Sequence, residues 1–213
     1  MLRDLDWSTL LREVTAQGVA FAPRALPQPC RDELAAELAA GPYEPVEPVI
    51  GQVRQEAEFF EVEAGDMHRY PVLTRLFDQL VRQVHAHGVP DWVPNEVAVQ
   101  RYQPGSIGIT PHRDQRRFAR LVVVITVAGS APFTLCRNRA GDPIRTWQAG
   151  EGSLVLLRGP GLAGEQDGRP MHHVGGPTHA PRTSIGIRMN TAQPHPTDLP
   201  AGSLPPELNS SAV

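Results

Sequence analysis

The segment Leu121-Val-Val-Val-Ile-Thr-Val127 is almost unbroken β-branched residue, and no other stretch constrains the fold as strongly. Such side chains are stiff about their first torsion and pack well on a pleated surface, so the run reads as a central strand without a solvent face. Shorter runs of similar texture flank it, at 97–102, 108–112, 133–137, 144–147, 154–158, 171–174 and 183–189, each set off by Gly, Pro or Asn. Eight short strands at this spacing suit a double-sheet jelly roll, also called a double-stranded β-helix.

Before residue 96 the period changes. Trp7, Leu10, Leu11 and Val14 recur at helical spacing, with Asp6 or Ser8 as N-cap and Gly18 as the stop. A second helix is expected from near Pro29 through Leu34 and Leu38 to Gly41. A third begins at Pro71, carries Val72, Leu76, Leu80 and Val84 on one face, and ends before Gly88. The stretch 46–62, rich in Pro and Glu, is expected to be extended: either a lid over a substrate or a strand and loop on the barrel edge. The fold class is therefore α+β, mainly β with helical support. Its expected organisation is one domain over 1–190, with helical support in 1–95 and the barrel in 96–190, followed by a Pro-rich surface tail at 191–213.

Length and composition fit one small domain. The 213 residues, 40% of them hydrophobic, are enough for a single sizeable core. A formal charge of −3 provides no global field toward nucleic acid or an anionic membrane. All 20 basic residues are arginine, so every cationic side-chain contact is made by a guanidinium. Cys30 and Cys136 lack metal-type spacing and read as free thiols. No segment has the length and apolarity of a membrane span, and the N-terminus has no signal-peptide core, so the expected location is cytoplasmic.

The chemistry concentrates at Thr110-Pro-His-Arg-Asp114. In a strand, alternate side chains share a face, so His112 and Asp114 would project together while Arg113 points away. His-x-Asp with a later His is the two-histidine, one-carboxylate set that leaves open positions on a non-haem Fe(II). On its own the pattern also suits an exposed loop. The third ligand would come from Met171-His-His-Val174, where an extended backbone turns either His172 or His173 inward. Downstream, Arg182, Ser184, Gly186 and Arg188 alternate with Thr183, Ile185, Ile187 and Met189, a strand with one polar and one apolar face. Its arginines either meet solvent or line a cavity, where a planar guanidinium can hold a carboxylate through two hydrogen bonds.

Taken in order, Gln100-Arg-Tyr102-Gln-Pro-Gly105, His112-Arg-Asp114, His172-His-Val174 and Arg182 with Arg188 resemble the Fe(II)/2-oxoglutarate-dependent dioxygenases, and within them the AlkB-like branch. Two features depart from that branch: Gln100 stands where it has Asn, and the ten-residue gap from His172 to Arg182 is typical of other branches. The resemblance implies that His112, Asp114 and His172 hold iron, leaving His173 outward. It assigns the distal carboxylate of 2-oxoglutarate to Arg182 and Ser184, gives Tyr102 a hydrogen bond to the co-substrate, and sets Arg188 close by. Fe(II), 2-oxoglutarate and O₂ would then be the cofactor and co-substrates, and decarboxylation to succinate would drive oxidation of an organic substrate.

The substrate is less constrained. Arg113, Arg116 and Arg117, with His173, are the candidate contacts. An arginine cluster suits a phosphate backbone or a small anion equally, and is most often a solvated loop. With a net acidic chain and 6% aromatic content, a small molecule or peptide is favoured. Demethylation of alkylated nucleobases in DNA or RNA is the alternative, and a non-enzymatic metal- or ligand-binding jelly roll is the second. Residues 159–169, with four glycines and two acids, are expected to form a mobile loop just before the last ligand. Oligomeric state leaves no mark in the sequence.

Overall fold

The computed structural model describes residues 1–164 and 167–193, so the expected tail lies, from residue 194 onward, outside the described residues. Three α-helices lie in the first 86 residues, interspersed with short strands: α1 (Trp7–Gln17), α2 (Gln28–Leu38) and α3 (Pro71–Ala86). Asp6 caps α1 by accepting from the Thr9 amide at 2.9 Å, and Gly18 ends it in the left-handed conformation at φ 86°. α3 has no cap of its own. Glu37, near the end of α2, accepts from the Val72 and Leu73 amides at 2.7 and 2.8 Å, satisfying orphan donors and placing an anion at the positive end of the helix. The buried residue opening the apolar face of α3 is Leu73, with Val72 half-buried, and α2 stops at Leu38, three residues before Gly41.

The strands are β1 (Val19–Ala22), β2 (Glu44–Pro45), β3 (Val49–Ile50), β4 (Val53–Arg54), β5 (Glu58–Val62), β6 (Glu96–Tyr102), β7 (Ile109–His112), β8 (Phe118–Ala128), β9 (Ala131–Cys136), β10 (Pro143–Ala149), β11 (Leu154–Arg158), β12 (Met171–Val174) and β13 (Arg182–Asn190). The last eight are those legible in the sequence. With β1, β2 and β5 they form two facing antiparallel sheets, one ordered β1-β11-β8-β13-β6-β5-β2 and the other β10-β9-β12-β7. From β6 onward the chain crosses between sheets at every connection except β9 to β10, which is the winding of a jelly roll.

β8 explains its own sequence. Leu121, Val123, Ile125 and Val127 join the helical core, with Leu10, Val14, Leu34, Leu76 and Leu80. Val122 and Val124 face the other sheet, in a second core with Phe118, Phe133, Val155 and Leu157. Where β8 meets β13 the ladder skips a residue: Thr183 pairs with Ala128 but Ser184 with Thr126, leaving Val127 as a bulge.

Region 46–62 takes the strand-and-loop form expected at the barrel edge. β5 extends the larger sheet beyond β6, through pairs such as Phe60 with Val99. β3 and β4 make a hairpin that leans on the edge of β7, where Gln55 bridges Ile109 and the Arg54 amide donates to Thr110 Oγ1 at 2.9 Å. Among the described residues, no helix is long and apolar enough to cross a membrane.

Candidate functional site

β7 and β12 pair antiparallel with His112 directly opposite His172, which brings the two imidazoles to 4.4 Å between ring centres. Asp114 departs from the sequence expectation, because β7 ends at His112 and Asp114 lies in the loop beyond it. Its carboxylate nevertheless returns to the same side, with Oδ1 3.7 Å from His112 Nε2. One ligand atom from each of His112, Asp114 and His172 lies within 4.8 Å of the others. His172 is buried and stacks on Phe133, with ring centres 5.4 Å apart, whereas His173 points to the opposite face of β12 and pairs with Thr134.

The hydrogen bonds fix which nitrogens are free. His112 Nδ1 lies 2.9 Å from the Thr110 carbonyl and His172 Nδ1 3.2 Å from that of Pro170. A carbonyl only accepts, so both Nδ1 atoms carry the proton and both Nε2 lone pairs are left for a metal. Burial, reinforced by His172 alongside, pushes His112 down to about 4 against the pull of Asp114, so the ring is neutral at pH 7. Two imidazoles presenting Nε2 and one carboxylate on one side of a cavity are a donor set that fits Fe(II) with positions to spare.

That cavity, about 370 Å³, is also lined by Tyr102, Arg182, Ser184 and Arg188. Arg182 is 2% exposed, and burial lowers its pKa. Its Nη2 donates to Thr126 Oγ1 at 2.9 Å and its Nη1 to Ser184 Oγ at 3.3 Å, while Nε has no partner. Among the described residues no carboxylate pairs with it. A buried guanidinium without a counter-ion is costly, and a carboxylate entering the cavity would supply one. Tyr102 lies beside it, its ring centre 5.7 Å from the guanidinium carbon and its hydroxyl donating to Gln100 Oε1 at 3.3 Å. Burial pushes the Tyr102 phenol up, so it remains a neutral donor.

Arg188 is in a different state. Its Nη1 is 2.8 Å from Glu96 Oε1, and Glu96 Oε2 accepts from Asn190 Nδ2 at 2.6 Å. It lines the cavity as a neutralised ion pair, above Gly186, where a Cβ would come within 3.1 Å of its Nη2. Of the remaining arginines, Arg113 is exposed, Arg116 lies 3.4 Å from Asp167, and Arg117 alone lines the cavity.

Sequence reasoning missed Thr126, Glu96 and the pair Asp167–Arg169. Thr126 left a trace as the lone polar residue in the apolar run 121–127; the other three left none. Asp167 is held well below the usual carboxylate range, chiefly by its hydrogen bonds from Arg169.

No family model matches the chain, and no curated protein matches it in sequence. Solved structures do. It is similar to an oxidoreductase of the 2OG-Fe(II) oxygenase family from Burkholderia pseudomallei, with 15% identity and a TM-score of 0.64 over 88% of this chain and 92% of that one. A Pseudomonas putida prolyl-4-hydroxylase aligns at 16% identity and a TM-score of 0.62, over 86% and 98%. This chain has the fold of the 2OG-Fe(II) oxygenases. A Trichoplax adhaerens prolyl hydroxylase, solved with a hypoxia inducible factor peptide fragment, shares the fold at 13% identity and a TM-score of 0.61, over 87% and 89%.

Proposed function

We propose that the chain is an Fe(II)- and 2-oxoglutarate-dependent dioxygenase, with residues 1–190 as one catalytic unit. It hydroxylates or oxidatively demethylates a small molecule or peptide and releases succinate and CO₂. The observation that carries this reading is Arg182, a buried guanidinium with no acid partner among the described residues, in the same cavity as His112, Asp114 and His172. A barrel that merely bound metal would have no use for an uncompensated internal cation.

When bound, the iron and its co-substrate supply oxygen activation, which no side chain can. The protein's residues do the rest. His112 and His172 would hold the metal through Nε2 and Asp114 through its carboxylate, a three-donor set that leaves room for a chelating co-substrate. Arg182 pairs with the distal carboxylate, while Thr126 and Ser184 fix the angle of the guanidinium. Phe118, Val122, Val124, Phe133, Val155 and Leu157 make an apolar wall that keeps water away and strengthens these polar contacts. Ile50 and Val53 of the β3–β4 hairpin also line the cavity, and a substrate would meet them there.

A peptide substrate is supported by the peptide bound to the Trichoplax neighbour and by the exposed apolar Val49 and Ile50 of the β3–β4 hairpin, whose Ile50 lines the cavity. The reading is tested by mixing metal-free protein anaerobically with Fe(II) and 2-oxoglutarate. A visible charge-transfer band should appear, and Asp114→Ala should abolish it. Its absence in the parent protein would refute the assignment. Succinate release with a peptide library, a metabolite panel and methylated single-stranded DNA then separates the substrate classes; binding without succinate from any of them would favour a non-enzymatic role.

A further inference from the structure

The three candidate ligands are not held equally well. His112 and His172 belong to paired strands, and their backbones are fixed by the β7–β12 ladder. Asp114 lies beyond the end of β7, outside any ladder. Its carbonyl accepts from Arg169 Nη1, and among the described residues this is its only backbone hydrogen bond.

Arg169 is well fixed in turn. Its side chain is 11% exposed, with Nε 2.6 Å from Asp167 Oδ1 and Nη2 2.7 Å from Asp167 Oδ2. Asp167 also lies 3.4 Å from Arg116 Nε, so contacts run in both directions between the loop carrying Asp114 and the segment leading to His172. The base of that segment is tied down separately: Arg158 Nε donates to the Gly168 carbonyl at 2.8 Å, and a Cβ on Gly168 would lie 2.5 Å from that nitrogen.

We propose that Arg169, braced by Asp167, is a positioning residue that sets the carboxylate ligand Asp114 against the two histidines. The proposal rests on the metal reading given above and adds the element that gives the site its third donor. The geometry needs a guanidinium. Two donors are taken by one carboxylate and a third, diverging, reaches the carbonyl; the ammonium of a lysine has no fork that spans both. Partners one step removed from a metal typically govern its affinity by ten- to a hundredfold.

The test uses the full chain as Arg169→Met, Arg169→Lys and Asp167→Asn, titrated with Co(II) by calorimetry and by its visible spectrum, beside melting curves of the metal-free proteins. Arg169→Met and Arg169→Lys should both weaken Co(II) binding by about 10- to 100-fold and alter the Co(II) spectrum. Asp167→Asn should fall in between, and the metal-free melting temperatures should stay within a few degrees of the parent. Full Co(II) affinity in Arg169→Met, or rescue by Arg169→Lys, would overturn the proposal. So would a loss of affinity that merely tracks a collapse in melting temperature, with Asp167→Asn as the gentler variant if Arg169→Met does not fold. Failure of the parent protein to bind Co(II) would instead remove the metal reading, and this proposal with it.

Discussion

Arg182→Met separates the two roles a buried arginine can have. Met keeps an unbranched side chain of similar reach and removes the charge. In the absence of ligand, the guanidinium has two hydroxyl acceptors, at 2.9 and 3.3 Å, and an Nε with no partner. Burying an ion on those terms costs several kcal/mol, and replacing buried ionic groups by apolar ones is often neutral or stabilising by about 1–4 kcal/mol. The metal-free variant should therefore melt at the parent temperature or above it, by roughly 2–4 °C for each kcal/mol gained. The co-substrate site should behave oppositely. Losing one member of a buried hydrogen-bonded charge pair costs about 2–5 kcal/mol, which at 1.4 kcal/mol per decade is a roughly 30-fold to 1,000-fold or greater loss of 2-oxoglutarate affinity. Differential scanning fluorimetry reads the first quantity, and calorimetry with Mn(II) replacing iron reads the second. If Arg182→Met melts several degrees lower yet binds 2-oxoglutarate within about threefold of the parent, Arg182 is structural and the functional reading loses its foundation.

His112→Ala, Asp114→Ala and His172→Ala should each abolish stoichiometric metal binding, whereas His173→Ala should keep it within about threefold, since His173 projects from the opposite face of β12; metal bound after His172→Ala but not after His173→Ala would reverse the assignment. Gly129→Ala should destabilise the fold by about 2 kcal/mol or more and weaken 2-oxoglutarate binding as well, as read by melting and calorimetry. At φ +71° its Cβ would come within 2.4 Å of the Pro181 carbonyl oxygen and 2.9 Å of the Arg182 Cα. Leu76→Ala, in the core between the helices and the larger sheet, should cost about 2–5 kcal/mol, or roughly 4–20 °C, while leaving 2-oxoglutarate affinity intact below the melting range; a proportionate loss of affinity would mean that the helical layer shapes the cavity.

Much of this was legible because it rests on periodicity. The run through β8 announced a strand buried on both faces, and helix spacing with Asp6 and Gly18 marked α1 almost to the residue. Alternation along β13 put Arg182, Ser184 and Arg188 on one face, and that face lines the cavity. What stayed hidden depends on contacts distant in sequence. Nothing local distinguishes Arg182, which has no acid partner, from Arg188, which has Glu96 opposite it in the ladder. The arginines after Asp114 read as one patch, but the loop sends Arg113 to solvent, Arg116 to Asp167 and Arg117 to the cavity. The strand rule gave the right face for Asp114 on the wrong ground, since a loop brings it there. β1 was missed, because its four residues directly follow α1 and read as the end of the helical region, though it completes one edge of the larger sheet by pairing with β11.

The single residue skipped at Val127 governs more than a local bend. Side chains on a strand have only two destinations, and β8 has the helical layer on one side and the cavity on the other. Sliding β8 by one position would turn Thr126 under the helices, bring Val127 to the guanidinium, and move Val122 and Val124 out of the inner wall. Every residue would still be buried, so hydrophobicity alone would scarcely resist the change. The bulge marks the register that a slide would break, since β13 pairs with Ala128 on one side of Val127 and with Thr126 through Val122 on the other. Insertions or deletions between residues 118 and 128 should therefore be among the least tolerated in the chain, even where they preserve its apolar character.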